Sequence, residues 1–337
     1  MSRARWLVLM VVTVVVSGAV GLVVLQRVQQ ERVVATTAPA QPTAGLDEVL
    51  AGDHLVFRST SRDSTYGRVA VVSLDDPSGA RAVTDVECER VFSAAGTNLC
   101  LSADRGVVTT YRTQVLDQRF ELREDLPLTG LPSRARLSRD GRYAATTSFV
   151  TGHSYSGGDF STETVVRDLD GTTPVLNVQT FELRVDGAVT TADDVNVWGV
   201  TFADDGDTFF ATAASGGTTW LVEGSLAGQT LVSLRTDAEC PSLSPDGTRV
   251  AYKKRGEAVD GTWRLAVLDL ATGEEQLLAE TRSVDDQVEW LDDDHVLYGL
   301  PREGAEAAVT DVWVQGVEND EPAEVLVAEA WSPAVVR

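Results

Sequence analysis

Three groups of side chains in this chain are of types that do chemistry: its cysteines, one serine–histidine run, and its many carboxylates. Cys88, Cys100 and Cys240 are the only thiols, and His54, His153 and His295 the only imidazoles. A zinc centre needs its ligands brought close together. Residues scattered this widely do not supply one, so no metal and no other cofactor is expected. The run GHSYS, residues 152–156, misses the nucleophile elbow G-x-S-x-G, because Ser156 stands where the second glycine is required. It reads instead as an exposed loop. LDDDH (291–295) and RDLDGTT (167–173) hold candidate calcium oxygens. Both lack the regular alternation of a calcium loop, and both fall where turns are expected and Asp belongs for conformational reasons. Glycoside hydrolysis needs two carboxyls about 5–10 Å apart. Among 51 acidic residues such pairs can always be found, so their meaning depends on the elements that position them.

Those elements are strands. After residue 30 helix signals are poor, and runs rich in Val, Thr, Phe and Leu, bounded by Asp, Gly and Ser, dominate. A hydrophobic content of 43% suffices for a packed core, and 28 glycines suit a turn-rich all-β chain. The net charge is −23, and Lys253 and Lys254 are the only lysines. That argues against a nucleic-acid partner, whose phosphates Lys and Arg must neutralise. The acidity suits a soluble, self-repelling surface.

One unit recurs: an apolar strand, a polar turn and a second apolar strand. Its copies are ERVFSAAGTNLCLS (89–102), RARLSRDGRYAATT (134–147), GVTFADDGDTFFATA (199–213), CPSLSPDGTRVAYKK (240–254) and QVEWLDDDHVLYGL (287–300). Gly96, Gly141, Gly206 and Gly247 mark the turns, with Asp294 in the last copy. Asp140, Asp205 and Asp246 precede three of the glycines, as the positive φ of a two-residue hairpin turn demands. Phe92, Leu137, Phe202, Leu243 and Trp290, just before the turns, are expected to face one core. The spacing lies close to the ~40–45 residues of a four-stranded propeller blade, except that the interval from Gly141 to Gly206 is too long. Its excess, TGHSYSGGDFST (151–162) and RVDGAVTTADD (184–194), reads as loop insertions. A third strand and second turn follow the hairpins, as in RLAVLDLATGEEQLL (264–278). The ends are complementary: AEAWSPAVVR (328–337) repeats a first strand, and AGDHLVFRST (51–60) matches a second. The C-terminal strand is therefore expected to complete the first blade and close a six-bladed ring, leaving no open sheet edge.

On the pattern LSPDGTRVAY…RLAVLDLATGEEQLL, residues 243–278, the chain resembles the TolB-like, WD-like propeller repeat of bacterial envelope proteins, over residues 45–337. The resemblance implies a six-bladed propeller with an extracytoplasmic interaction role, and it carries over no catalytic residue. The eukaryotic Gly-His and Trp-Asp signature is missing. First strands line a propeller's channel, so the residues just before them should ring its mouth. Glu87, Glu89, Arg134, Arg136, Asp194, Glu239, Asp285 and Asp286 are the resulting ligand- or partner-binding candidates. Such a mainly acidic rim would receive a basic peptide or a sugar. Cys88 precedes a first strand and Cys100 lies in the second, so the hairpin brings them within reach of a disulfide. Cys240, three units away, is expected to be buried and unpaired.

Residues 6–25 form a charge-free apolar run, which as a helix spans roughly 30 Å of hydrocarbon. Ser17 and Ala19 offer a cleavage site, but VGLVVL prolongs the run past it, so an uncleaved anchor is preferred to a signal peptide. The expected organisation is a cytoplasmic tail (1–5), a transmembrane signal anchor (6–26), a Thr/Ala/Pro linker (27–44) and the propeller (45–337). This places the chain in the plasma membrane as a single-pass protein with the propeller on the extracytoplasmic side, or secretes it if the segment is cleaved. The expected role is a non-catalytic protein-binding or scaffold module for an envelope protein partner. The alternative is a carbohydrate-active propeller enzyme using channel-mouth carboxylates. A scaffold should show an exposed apolar or aromatic patch, for which Trp198 and Tyr155 are candidates; an enzyme should show carboxylates about 5–10 Å apart at a dry channel mouth, one of raised pKa.

Overall fold

Among the described residues, strands form along the Val-, Thr-, Phe- and Leu-rich runs, and Asp- and Gly-bearing turns separate them. The computed structural model describes residues 42–155, 160–255, 261–318 and 322–337. The first sheet contains β1 (His54–Ser59), β2 (Arg68–Ser73) and β3 (Arg81–Glu87). The second holds β4 (Arg90–Ala94), β5 (Thr97–Arg105), β6 (Thr109–Asp117) and β7 (Leu122–Leu128). The third is built from β8 (Leu131–Leu137), β9 (Tyr143–Thr151), β10 (Ser161–Asp168) and β11 (Leu176–Asn177). To the fourth belong β12 (Glu182–Val185), β13 (Ala188–Val189), β14 (Asn196–Phe202), β15 (Thr208–Ser215), β16 (Thr218–Ser225) and β17 (Thr230–Thr236). The fifth takes β18 (Glu239–Leu243), β19 (Arg249–Arg255), β20 (Trp263–Asp269) and β21 (Glu275–Leu277). The sixth takes β22 (Glu289–Trp290), β23 (His295–Pro301), β24 (Thr310–Gly316) and β25 (Glu324–Val327), after which β26 (Ala330–Val336) returns to the first sheet.

That return closes the molecule. β26 lies antiparallel to β1, with Leu55 opposite Val335 and Val56 opposite Ala334, and becomes the inner edge of the first blade. The innermost strands β26, β4, β8, β14, β18 and β22 pack in succession, and β22 meets β26 again. The result is the six-bladed, all-β propeller expected from the repeat, with the C-terminal strand completing the first blade.

The core is divided rather than single. Each sheet packs face to face on its neighbours, so the apolar clusters lie between blades. Phe92 and Leu137 join the cluster shared by the first three blades, Phe202 that between the third and fourth, Leu243 that between the fourth and fifth, and Trp290 that between the fifth and sixth. The expectation of one common core for these five is corrected accordingly.

The turns also differ from expectation in detail. Only the second blade has a two-residue turn in its first hairpin: Ala94 pairs with Thr97, and Ala95 and Gly96 take φ of 46° and 71°. In the third blade Ser138 N donates to Tyr143 O at 2.8 Å, which encloses a wider loop. There Gly141 has φ 75°, while Asp140 is absent from the left-handed region and instead accepts the Arg142 N–H at 3.0 Å. Asp246 does the same for Thr248 at 3.0 Å. The Asp of the motif thus serves as an acceptor for the turn, and only the glycine supplies the positive φ.

The long interval does not hold simple loops. In residues 184–194 the chain completes β12 and forms β13; β12 pairs in parallel with β17 and widens the fourth blade to six strands. Leu183, fully covered, anchors it to the core of that blade. At the N-terminal end, Arg81 N donates to Pro42 O and Ala44 N to Arg81 O, both at 3.1 Å, and a short helix α1 (Leu46–Val49) follows. The expected cytoplasmic tail and anchor, and nearly all of the linker, lie outside the described residues. Among the described residues no helix is long and apolar enough to cross a membrane.

Candidate functional site

The channel has an entry mouth, where the innermost strands begin, and an exit mouth, where they end. Near the entry mouth four of these strands are irregular. Pairing shifts between Pro132 and Arg134 in β8, Trp198 and Thr201 in β14, and Glu239 and Ser242 in β18; against β26 it shifts between Val56 and Arg58. Gly199, Cys240 and Ser332 carry positive φ of 67°, 51° and 57°. A bulge twists its strand and re-aims a side chain. Gly199 is required by space as well as by φ, since a Cβ there would lie 2.7 Å from the Cα of Cys240 on the next blade.

These strand starts gather a charged cluster. Lys253 Nζ lies 2.6 Å from Asp285 Oδ1, and Arg134 Nη2 lies 3.5 Å from the same oxygen. Asp286 accepts from Arg90 Nη1 at 3.0 Å and from Gly299 N at 3.2 Å. Lys253 is 0% exposed; its ammonium sits 4.2 Å from the Trp263 ring centroid and 5.1 Å from that of Tyr155, partners that soften its burial. Burial pushes the Asp285 carboxyl up, but Lys253 and Arg134 outweigh it and hold the group below its usual range.

Of the eight rim candidates, Arg134, Asp285 and Asp286 meet in this cluster. Glu239 is fully buried, with Arg255 Nε 3.1 Å from its carboxylate. Glu89 stands at the margin, 2.8 Å from Arg105 and 3.9 Å from Arg58. Glu87 ends β3 exposed. Asp194, also exposed, accepts from Ser215 Oγ (2.5 Å) and Gly216 N (2.8 Å) and so caps the β15–β16 turn. Arg136 belongs to the exit mouth. Sequence reasoning missed Arg90 and Lys253. Arg90 is simply the next residue after a chosen one, and Lys253 pairs across β18 and β19 with Glu239, so strand pairing was the available signal.

The loop expected to be exposed is anchored by its aromatic residue. Tyr155 is 3% exposed, its hydroxyl is 2.5 Å from Ser133 Oγ, and its ring stacks on Trp198 with centroids 5.1 Å apart. Phe149 and Phe160 complete the cluster. Neither Tyr155 nor Trp198 therefore forms a surface patch, because both fill the gap between blades. Cys88 and Cys100 are joined, with Cα atoms 5.5 Å apart, and Cys240 is buried and free. The two calcium candidates are turn acceptors: Asp168 takes hydrogen bonds from Arg142 (3.0 Å) and Asp170 N (3.1 Å), and Asp292 from Asp294 N (2.9 Å).

The exit mouth is different in kind. The innermost strands end on a funnel of about 470 Å³, within the ~300–1,000 Å³ of small-ligand sites. Phe92, Leu137, Phe202, Leu243, Trp290 and Val335 line it, one from each blade. Its floor is the ion pair of Arg136 with Glu289, buttressed by Arg136 Nη2 donating to Val288 O at 3.0 Å. Burial pushes the Glu289 carboxyl up, against the pull of Arg136. Arg139, Asp292, Asp293 and Arg337 stand around it. The five apolar repeat positions found in the sequence thus converge here, at the opposite end from the predicted rim.

Four carboxylates along the channel are each paired with a basic group: Asp285 with Lys253, Asp286 with Arg90, Glu239 with Arg255 and Glu289 with Arg136. Glu289, which burial holds up, faces a guanidinium and not a second carboxylate.

No protein-family model matches the sequence, and no curated protein matches it. Solved structures do share its fold. TolB from Acinetobacter baumannii superposes with a TM-score of 0.58 at 17% identity, over 86% of this chain and 68% of that one. The nidogen/laminin complex gives 0.54 at 12% identity, over 84% of this chain and 98% of the matched one. A puromycin-hydrolysing peptidase of Mycobacterium tuberculosis gives 0.50 at 15% identity, over 83% of this chain but 43% of that one. At such identities the likeness is one of fold. The chain is a six-bladed β-propeller, and its architecture is TolB-like. Its structural neighbours include TolB and a peptidase, so the fold alone does not choose between binding and catalysis.

Proposed function

We propose that the chain is a non-catalytic binding propeller of the cell envelope, held outside the cytoplasm by its apolar N-terminal segment, which takes an apolar segment of a protein partner into the exit funnel. The carrying observation is the funnel itself: one apolar side chain from each of six blades converges on one cavity. Pairing of the channel carboxylates with Arg and Lys supports the same reading. A photo-crosslinking residue at Leu243 in the full chain, expressed in native envelopes, tests it. Recovery of one stoichiometric protein, lost when Trp290→Asp disrupts the cavity wall, is expected. Recovery of no protein together with turnover of a glycan would move the assignment to the carbohydrate-active alternative.

A further inference from the structure

Between the entry cluster and the exit funnel lies a recess of about 20 Å³, lined by Arg90, Arg134, Arg136, Asp286, Phe92 and Pro333 among others. Since about 10–15 Å³ suffices for one water, it has room for one atom-sized guest. Three guanidinium groups meet there, and some of their donors go unmatched. Arg134 and Arg136 are 5% and 6% exposed, yet Nε and Nη2 of Arg134 and Nε of Arg136 have no hydrogen-bond acceptor. Asp285 sits 3.5 Å from Arg134 Nη2 as an ion pair without making that bond. The nearby acceptors already have other partners: Asp286 takes Arg90 and Gly299 N, and the Ser133 carbonyl takes Arg134 Nη1 at 3.0 Å. Ser332 Oγ donates to Val91 O at 2.9 Å. A buried donor without an acceptor is costly.

The charges do not cancel either. Arg90, Arg134, Arg136 and Lys253 face Asp285, Asp286 and Glu289, and the Glu239–Arg255 pair is neutral in itself. One positive charge is in surplus, inside a chain whose net charge is −23. Burial, and then the like charge of Arg134, both disfavour the charge on Arg90. A water would bring two further donors to a recess already rich in them. A halide brings none, together with the one negative charge that is wanting. We propose that this recess binds a single monovalent anion of halide size, chloride in ordinary salt, held by the free N–H groups of Arg134 and Arg136.

Thermal unfolding of the full chain at one fixed ionic strength, in sodium chloride, bromide, formate or gluconate, tests the assignment. The expected result is a Tm that rises saturably, by a few degrees, with chloride and bromide and stays flat in gluconate, because only a ligand of the native state stabilises by mass action. In Arg134→Met the halide-specific rise is lost. Crystals of the unaltered protein grown in bromide should show anomalous scattering between Arg134 and Arg136, and this arm needs no variant to fold. A Tm that follows ionic strength alone, protection by formate but not by halides, a halide response that survives in Arg134→Met, or a recess without an anomalous peak each overturns the proposal.

Discussion

The pair formed by Arg136 and Glu289 decides the character of the funnel floor. Their side chains are 7% and 12% exposed, so neither charge has water to fall back on. The folded-state pKa of Glu289 is raised above its ordinary value of 4.5. A carboxyl of raised pKa contributes stability below its unfolded value and loses it as pH rises through the folded one. The ion pair is therefore no net source of stability at neutral pH, but breaking it on one side is harmful. Arg136→Met is expected to cost about 3–5 kcal/mol at pH 7. At pH 5 the cost should shrink, since the stranded carboxyl then takes a proton. Denaturant midpoints at the two pH values measure both, and an equal loss at each would show that Glu289 is not the group left exposed to the penalty.

At the scale of elements, the irregular innermost strands set what the channel contains. Replacing Gly199 by Ala forces a Cβ to 2.7 Å from the Cα of Cys240 at a residue with φ 67°. Strain and overpacking together should destabilise the fold by about 2–4 kcal/mol. Chemical denaturation would read this; a change under about 0.5 kcal/mol, the scatter of ordinary surface substitutions, would mean the bulge yields easily. Such bulges explain the limit of what the sequence disclosed. Repeat spacing, turn glycines and the matching ends of the chain are local, periodic signals, and they sufficed for blade number and closure. The bulges at Cys240 and Ser332 use residues with no special preference for positive φ, so nothing marks them in the chain. Arg134 and Arg136 stand two residues apart in the regular part of β8, so the first reaches Asp285 near the strand's start and the second lines the exit funnel. Tyr155 was misplaced for a related reason: a Ser- and Gly-rich loop looks solvated, and only the gap beside Trp198 shows that one of its rings is needed inside.

At the scale of the whole molecule, stability rests on closure. β26 supplies the inner edge of the first blade, and Trp331 packs so closely that a Cβ on Gly299 would come within 2.6 Å of its ring. Truncation after Glu329 should leave β1 with an unpaired edge and both flanking clusters open. We expect the shortened chain to lose its single cooperative thermal transition and to aggregate, as judged by circular dichroism and light scattering. A truncated form that melts as sharply as the full chain would show that the ring does not depend on its seam.

The seam also imposes a schedule. β1 emerges early from the ribosome, while the strand it needs is translated near the end of the described chain. At roughly 5–20 residues per second this wait is on the order of tens of seconds. Throughout it, one half-built sheet keeps an open border, and only the arrival of β26 removes it.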